Sequence, residues 1–233
     1  MKNVIVVISL LSLSSSVLAT DESCRRLLIS QLNAYAEPDA AAAYFNDAEK
    51  AYRDCRGARL PVDIRVKTLM KYGVARDVRG DAQAATDAFR EAIAILDGAP
   101  GDQTTTLIEV LDATVLAESN ARLRSDAIEH ASRALTLQRA KFGNDSPEAV
   151  IGTAKLGMVH ATFGDYGKSE SLLRTAVRIA EKTCAPECDA LAFAYSGMSA
   201  LYSTQGKEED AKKYDEMALN ATPSRKHASQ GKD

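Results

Sequence analysis

Apolar residues recur along most of this chain at intervals of three and four. Between residues 62 and 78 they fall at Val62, Val66, Leu69, Met70 and Val74, the spacing that gathers side chains on one face of a helix. No segment shows the strict apolar–polar alternation of a half-buried strand. Local punctuation agrees. Gly80-Asp81 and Gly164-Asp165 read as helix stops followed by acidic N-caps, Ser125 as the cap of a helix running through Ala127 and Ile128, and Ser146-Pro147-Glu148 as a cap, a proline and an acid at a helix start. The pattern predicts helical hairpins, each a helix of roughly 16 residues, a short turn and a second helix of similar length.

The first segment departs from this pattern. Lys2 gives a short basic start, Val4 to Leu13 is nearly continuous apolar, and Val17-Leu18-Ala19 offers small or compact residues for cleavage. Residues 1–19 therefore read as a signal peptide cleaved near Ala19, and the chain as periplasmic or secreted. The competing reading is an uncleaved anchor. The apolar run is shorter than the ~20 residues a membrane helix needs, and no later run approaches that length, so stable membrane insertion is not expected. No Cys sits immediately after the cleavage point, which disfavours a lipoprotein.

Self-similarity organises what remains. Ala51, Ala92, Ala134, Ala176 and Ala218 are separated by 41, 42, 42 and 42 residues. Nineteen residues before each stand Leu32, Gly73, Val115, Gly157 and Ser199, and seven before each stand Tyr44, Ala85, Ala127, Ser169 and Ala211. Mostly small residues at fixed spacing mark places where helices approach closely. The fourth hairpin is the clearest, with Leu156, Gly157, His160, Gly164-Asp165-Tyr166, Ser169, Leu173 and Ala176. The second follows through Leu69, Tyr72-Gly73, Gly80-Asp81, Ala85, Phe89 and Ala92, and the fifth through Tyr202, Gly206, Ala211, Ala218 and Pro223. In the third, Glu118 stands where a large apolar residue is usual and Arg122 where Gly is usual.

These residues, in this order, resemble the tetratricopeptide repeat family. The 42-residue period, with KFGNDSPEAV ahead of the fourth hairpin, is similar to the kinesin light chain variant. The resemblance implies an all-α, right-handed α-α superhelical solenoid of about five helical hairpins. They would span residues 25–58, 66–99, 108–141, 150–183 and 192–225, within a repeat domain of residues 20–223. The charged last helix, with Lys207, Glu208, Glu209, Lys212, Lys213, Asp215 and Glu216, reads as self-capping, and residues 224–233 as a polar tail.

Composition narrows the function. Aromatic residues are only 6% and Trp is absent, which suits helices packed through small side chains. The formal charge of −3, or −4 once Lys2 has left with the signal, is spread over interspersed charges of both signs. That leaves no basic surface for nucleic acid and no polybasic membrane patch. His130, His160 and His227 are far apart and no Cys-x2-Cys pair occurs, so no metal site is expected. His160 reads as a packing residue. The GDAQAA and GDYGKS segments are hairpin turns and not phosphate cradles. No nucleophile, base or cofactor set converges, and the chain reads as a non-enzyme without cofactors.

Four cysteines in an exported chain point to disulfides. If the first hairpin turns near Pro38-Asp39, Cys24 and Cys55 lie about equally far from the turn and meet at its open end. Closing that loop of about 32 residues is worth roughly 3–4 kcal/mol on the chain-entropy model. Cys184 and Cys188 stand as Cys-Ala-Pro-Glu-Cys between the fourth and fifth hairpins, where a short bridge gains about 2 kcal/mol. The alternative for Cys184 and Cys188 is a redox dithiol, opposed by the spacing and by the want of a positive neighbour.

The resemblance also implies a partner groove lined by first helices. Its positions here are Ile29 and Asn33, then Lys67, Met70, Val74 and Asp77, then Glu109, Asp112, Leu116, Ser119 and Asn120. Ile151, Ala154, Met158 and Thr162, then Phe193, Ser196, Ala200 and Ser203, complete the set. Met70, Val74, Leu116 and Met158 would form an apolar stripe suited to a helix or extended peptide of a protein partner. Val74 and Leu116 could equally be packed between helices. A carboxylate clamp is not expected, since only Asn33 and Lys67 match any part of one. The leading expectation is an interaction scaffold or assembly adaptor. The alternatives are a self-associating structural subunit of an envelope complex and a thiol-redox protein using Cys184 and Cys188; oligomeric state is left open.

Overall fold

A computed structural model describes residues 22–28, 38–56 and 59–222, and every regular element among them is helical. The signal segment, Asn33, Ile29, Leu32 and the tail lie outside the described residues. The helices are α1 (22–27), α2 (Pro38–Cys55), α3 (Val62–Val78), α4 (Ala82–Asp97), α5 (Thr104–Asn120), α6 (Arg124–Phe142), α7 (Pro147–Thr162), α8 (Tyr166–Thr183), α9 (Asp189–Thr204) and α10 (Glu208–Ala221). First helices begin three or four residues ahead of the hairpin starts read from the sequence, because Pro61, Gln103, Ser146 and Cys188 are their N-caps. The chain divides between Ala121 and Arg122 into two compact units.

In the first unit α3 packs on α2, α4 and α5, and α4 on α5. Ile64, Val66, Leu69, Phe89, Val110 and Leu111 are fully buried. Gly73 permits the closest approach: a Cβ there would lie 2.4 Å from the Phe89 ring. Cys24 and Cys55 are at disulfide distance, with Cα atoms 5.7 Å apart, and are covered by Leu60 and Ile64.

In the second unit α7 packs on α6, α8 and α9, and α9 on α8 and α10. Leu173 is its pivot, facing both Gly157 and Gly197, where a Cβ would come within 2.9 and 2.5 Å of it. Val150, Met198 and Leu201 complete a core sealed by Ala176, Ala180 and Ala211. The repeat columns are buried wherever they are described, from Ala51 and Ala92 at 0% exposure to Ala218 at 8%.

Hairpin turns place Gly80, Gly164 and Gly206 at φ 81°, 82° and 72°. In the third hairpin Arg122 takes the same left-handed backbone at φ 62°, so the turn forms without glycine, at the steric cost of a Cβ. Asp81 Oδ1 accepts the Ala84 N–H at 3.2 Å, and Ser146 Oγ accepts the Ala149 N–H at 3.1 Å with Pro147 opening α7. Two capping expectations are corrected. Ser125 lies inside α6, whose N-cap is Leu123 without a side-chain bond. Asp165 is the N-cap residue of α8, but its carboxylate makes no bond to the helix backbone and pairs instead with His160 Nδ1 at 3.1 Å and with Arg124, whose charged guanidinium outcompetes a backbone N–H.

Candidate functional site

Helical spacing places Lys67, Met70 and Val74 on one face of α3. They join Thr106, Glu109 and Val110 of α5, together with Leu28, Tyr44, Val66 and Lys71, around a cavity of about 520 Å³. Val66, Val110 and Tyr44 are its buried apolar floor, Met70 and Val74 are half-buried, and Lys67 and Glu109 are exposed with opposite charge. Val74 packs against the Tyr44, Ala48 and Ala75 cluster.

Polar groups in the floor are engaged internally. Lys71 Nζ donates to the Leu27 carbonyl at 2.6 Å and lies 4.9 Å from the Tyr44 ring centroid. Burial holds the Lys71 ammonium below the ordinary lysine value, against the pull of Asp47. The Tyr44 hydroxyl donates to the Lys71 carbonyl at 3.3 Å, and burial pushes its phenol up. The cavity therefore has an apolar floor, with charge at its edge.

Farther along the face, Asp112 is half-buried and Leu116 is 59% exposed. Asn120 Nδ2 donates to Asp77 Oδ1 at 2.9 Å, tying α5 to α3. Lys67, Met70, Val74, Asp112, Leu116 and Asn120 thus share the α3–α5 side of the first unit. Met158 belongs to the second unit, half-buried, with its Sδ 3.7 Å from where a Cβ on Gly197 would lie. Ala154 is fully buried and presents no groove surface, which corrects its assignment as a lining residue.

Reading positions by register missed Leu28, Tyr44, Val66, Lys71, Thr106 and Val110 as lining residues. The available signal was Tyr44 itself, the one bulky member of a column otherwise made of Ala and Ser.

The second unit holds tyrosine-centred networks. Tyr202 donates to Glu170 Oε1 at 3.1 Å and receives Arg174 Nη2 at 3.1 Å, with Lys207 Nζ 5.4 Å from the ring centroid. The Arg174 hydrogen bond holds the Glu170 carboxyl low, while burial raises the Tyr202 phenol. Tyr195 donates to Glu181 Oε1 at 2.8 Å, and burial followed by that bond pushes its pKa up to about 12. Hydrogen bonds from His160 and then Arg124 hold the Asp165 carboxyl below its usual range. Among the described residues no three His, Cys, Asp or Glu could hold a metal ion, and no helix is long and apolar enough to cross a membrane.

Antiparallel helix pairs recurring every 42 residues, joined through buried columns of small side chains, define a helical-repeat protein. Residues 149–224 match the tetratricopeptide repeat family. Solved structures share the fold. A putative kinesin light chain from Podosopora anserina with nearly identical TPR-like repeats aligns at TM-score 0.62 and 15% identity, covering 88% of this chain and 93% of that one. BtubC (BKLC) from P. vanneervenii aligns at TM-score 0.55 and 18% identity, covering 84% and 74%. The apo form of RapI aligns at TM-score 0.56 and 14% identity, covering 92% and 67%. No curated protein matches the sequence significantly.

Proposed function

We propose that this chain is an exported protein-interaction scaffold that takes a helix or extended segment of a partner protein along the α3–α5 face of its first unit. The observation that carries the reading is the run of partly exposed apolar side chains, Met70, Val74 and Leu116, leading from a cavity edged by Lys67 and Glu109. Side chains of this kind, left accessible on a rigid helical surface, suit an amphipathic partner whose apolar face replaces solvent. Export is supported by the basic and apolar start with its Ala19 cleavage point and by the two cysteine pairs. Mass analysis of the chain recovered from its native host should find the N-terminus at Thr20.

A photo-crosslinker at Leu116 should yield a partner adduct in a native extract, and one at the exposed Ala94 of α4 should not. Adding Met70→Asp should remove most of the adduct at position 116. Equal adducts at both positions, or indifference to Met70→Asp, would place binding on another surface.

A further inference from the structure

The connection between α8 and α9 carries chemistry that partner docking on the first unit does not use. Cys184 is the C-cap of α8 and Cys188 the N-cap of α9, at disulfide distance from each other. Both are half-buried, and Ala185, Pro186 and Glu187 between them are exposed. Cys24 and Cys55, by contrast, are each 1% exposed.

The two sulfurs sit at helix ends of opposite sign. Cys188 Sγ accepts the Leu191 N–H at 3.3 Å, at the positive start of α9. Cys184 lies at the carbonyl end of α8, its own N–H bonded to the Ala180 carbonyl at 2.9 Å. A thiolate is therefore favoured at Cys188 and disfavoured at Cys184. Glu181, Lys182, Glu187 and Asp189 are the charged residues of the flanking turns, close to both sulfurs along the chain, and Glu181 is held by the Tyr195 hydroxyl.

Beside the pair lies a concavity of about 380 Å³, lined by Pro186, Leu191, Tyr195 and Met217 with Glu181 and Asn220. A half-buried cysteine pair and an apolar seat are thus adjacent. That is what recognition of a thiol-bearing apolar segment requires.

We propose that Cys184–Cys188 is a thiol–disulfide exchange site that takes two electrons from a dithiol carried on an apolar segment seated in this concavity. A thiolate of the segment attacks Cys184 Sγ, and the bridging electron pair leaves on Cys188 Sγ, received by the Leu191 N–H. The second thiolate of the segment then attacks its own sulfur in the mixed disulfide and expels Cys184 as thiolate. The segment becomes a disulfide, and its two thiol protons reach Cys184, Cys188 or water. The site is spent after one exchange until an external disulfide reoxidises it.

The test uses the full mature chain. In glutathione redox buffers, followed by alkylation and peptide mass spectrometry, Cys184–Cys188 should be half-reduced at a glutathione ratio at least about tenfold more oxidising than Cys24–Cys55 needs. Cys184→Ser and Cys188→Ser each leave one thiol of this pair. In iodoacetamide pH profiles, Cys188 should react as thiolate at lower pH than Cys184. Dihydrolipoamide, an apolar dithiol, should reduce the bridge faster than glutathione at equal thiolate concentration, and Met217→Asp should remove that advantage. Reduction together with Cys24–Cys55, a Cys184 thiol as acidic as Cys188, or a dihydrolipoamide rate unaffected by Met217→Asp would each overturn the proposal.

Discussion

At Gly73 a single hydrogen in place of a side chain decides whether α3 and α4 can pack. A Cβ there would meet three ring atoms of Phe89 at 2.4 to 2.8 Å, and that ring, 1% exposed, has no free volume to enter. Gly73→Ala should destabilise the first unit by about 1–3 kcal/mol, overpacking outweighing the gain in helix propensity, and lower its urea midpoint. Arg122 is the opposite case. Its φ of 62° carries a cost that glycine does not share, and the exposed side chain closes no core. Arg122→Gly should raise stability by up to about 1 kcal/mol, while Gly80→Ala, imposing the same strain on the second hairpin, should lower it. A midpoint that falls for Arg122→Gly would show its side chain to matter more than its backbone.

At the scale of elements, the third hairpin shows what local reading captures and what it misses. Glu118 and Arg122 break the repeat pattern, yet α5 and α6 both form. Glu118 is completely buried, and its Oε1 accepts Arg90 Nε at 3.2 Å and Nη2 at 2.9 Å. The partner comes from the preceding hairpin, 28 residues back, beyond the reach of any periodicity argument. Arg90→Met should cost about 3 kcal/mol by leaving a buried carboxylate without its guanidinium, and adding Glu118→Leu should recover most of it. A denaturant double-mutant cycle measures both. The same distinction separates the caps. Asp81 and Ser146 act within four residues of chain, and their sequence signatures sufficed, whereas Asp165 is taken by Arg124 from 41 residues away. In the candidate groove, helical register was enough to bring Lys67, Met70 and Val74 together. Tyr44 and Lys71 join them through contacts between helices that no single-helix pattern encodes.

For the molecule as a whole, the structural division and the sequence repeat do not coincide. Hairpins recur every 42 residues, but the compact units part between Ala121 and Arg122, inside the third hairpin's turn. Each unit is held by its own core, and the bridge at Cys24–Cys55 belongs to the first alone. Cys24→Ser/Cys55→Ser should therefore lower stability by about 3–4 kcal/mol in that unit. Hydrogen exchange followed by mass spectrometry should show the lost protection in α2 and α3, with α7 to α10 unchanged. Uniform loss across both units would mean that the chain unfolds as one.

The columns of small side chains have a last consequence, for the lengths this chain can take. Ala134, Ala176 and Ala218 stay buried because each turn of the repeat returns the chain to the same phase. In the second unit, where Ala134, Ala176 and Ala218 are 42 residues apart, a block of 42 residues added or deleted whole preserves that phase, as a ruler keeps its marks when a whole division is added. A duplicated 147–188 segment would bring its own matching contact residues, Gly157, Leu173 and Ala176, to both joins.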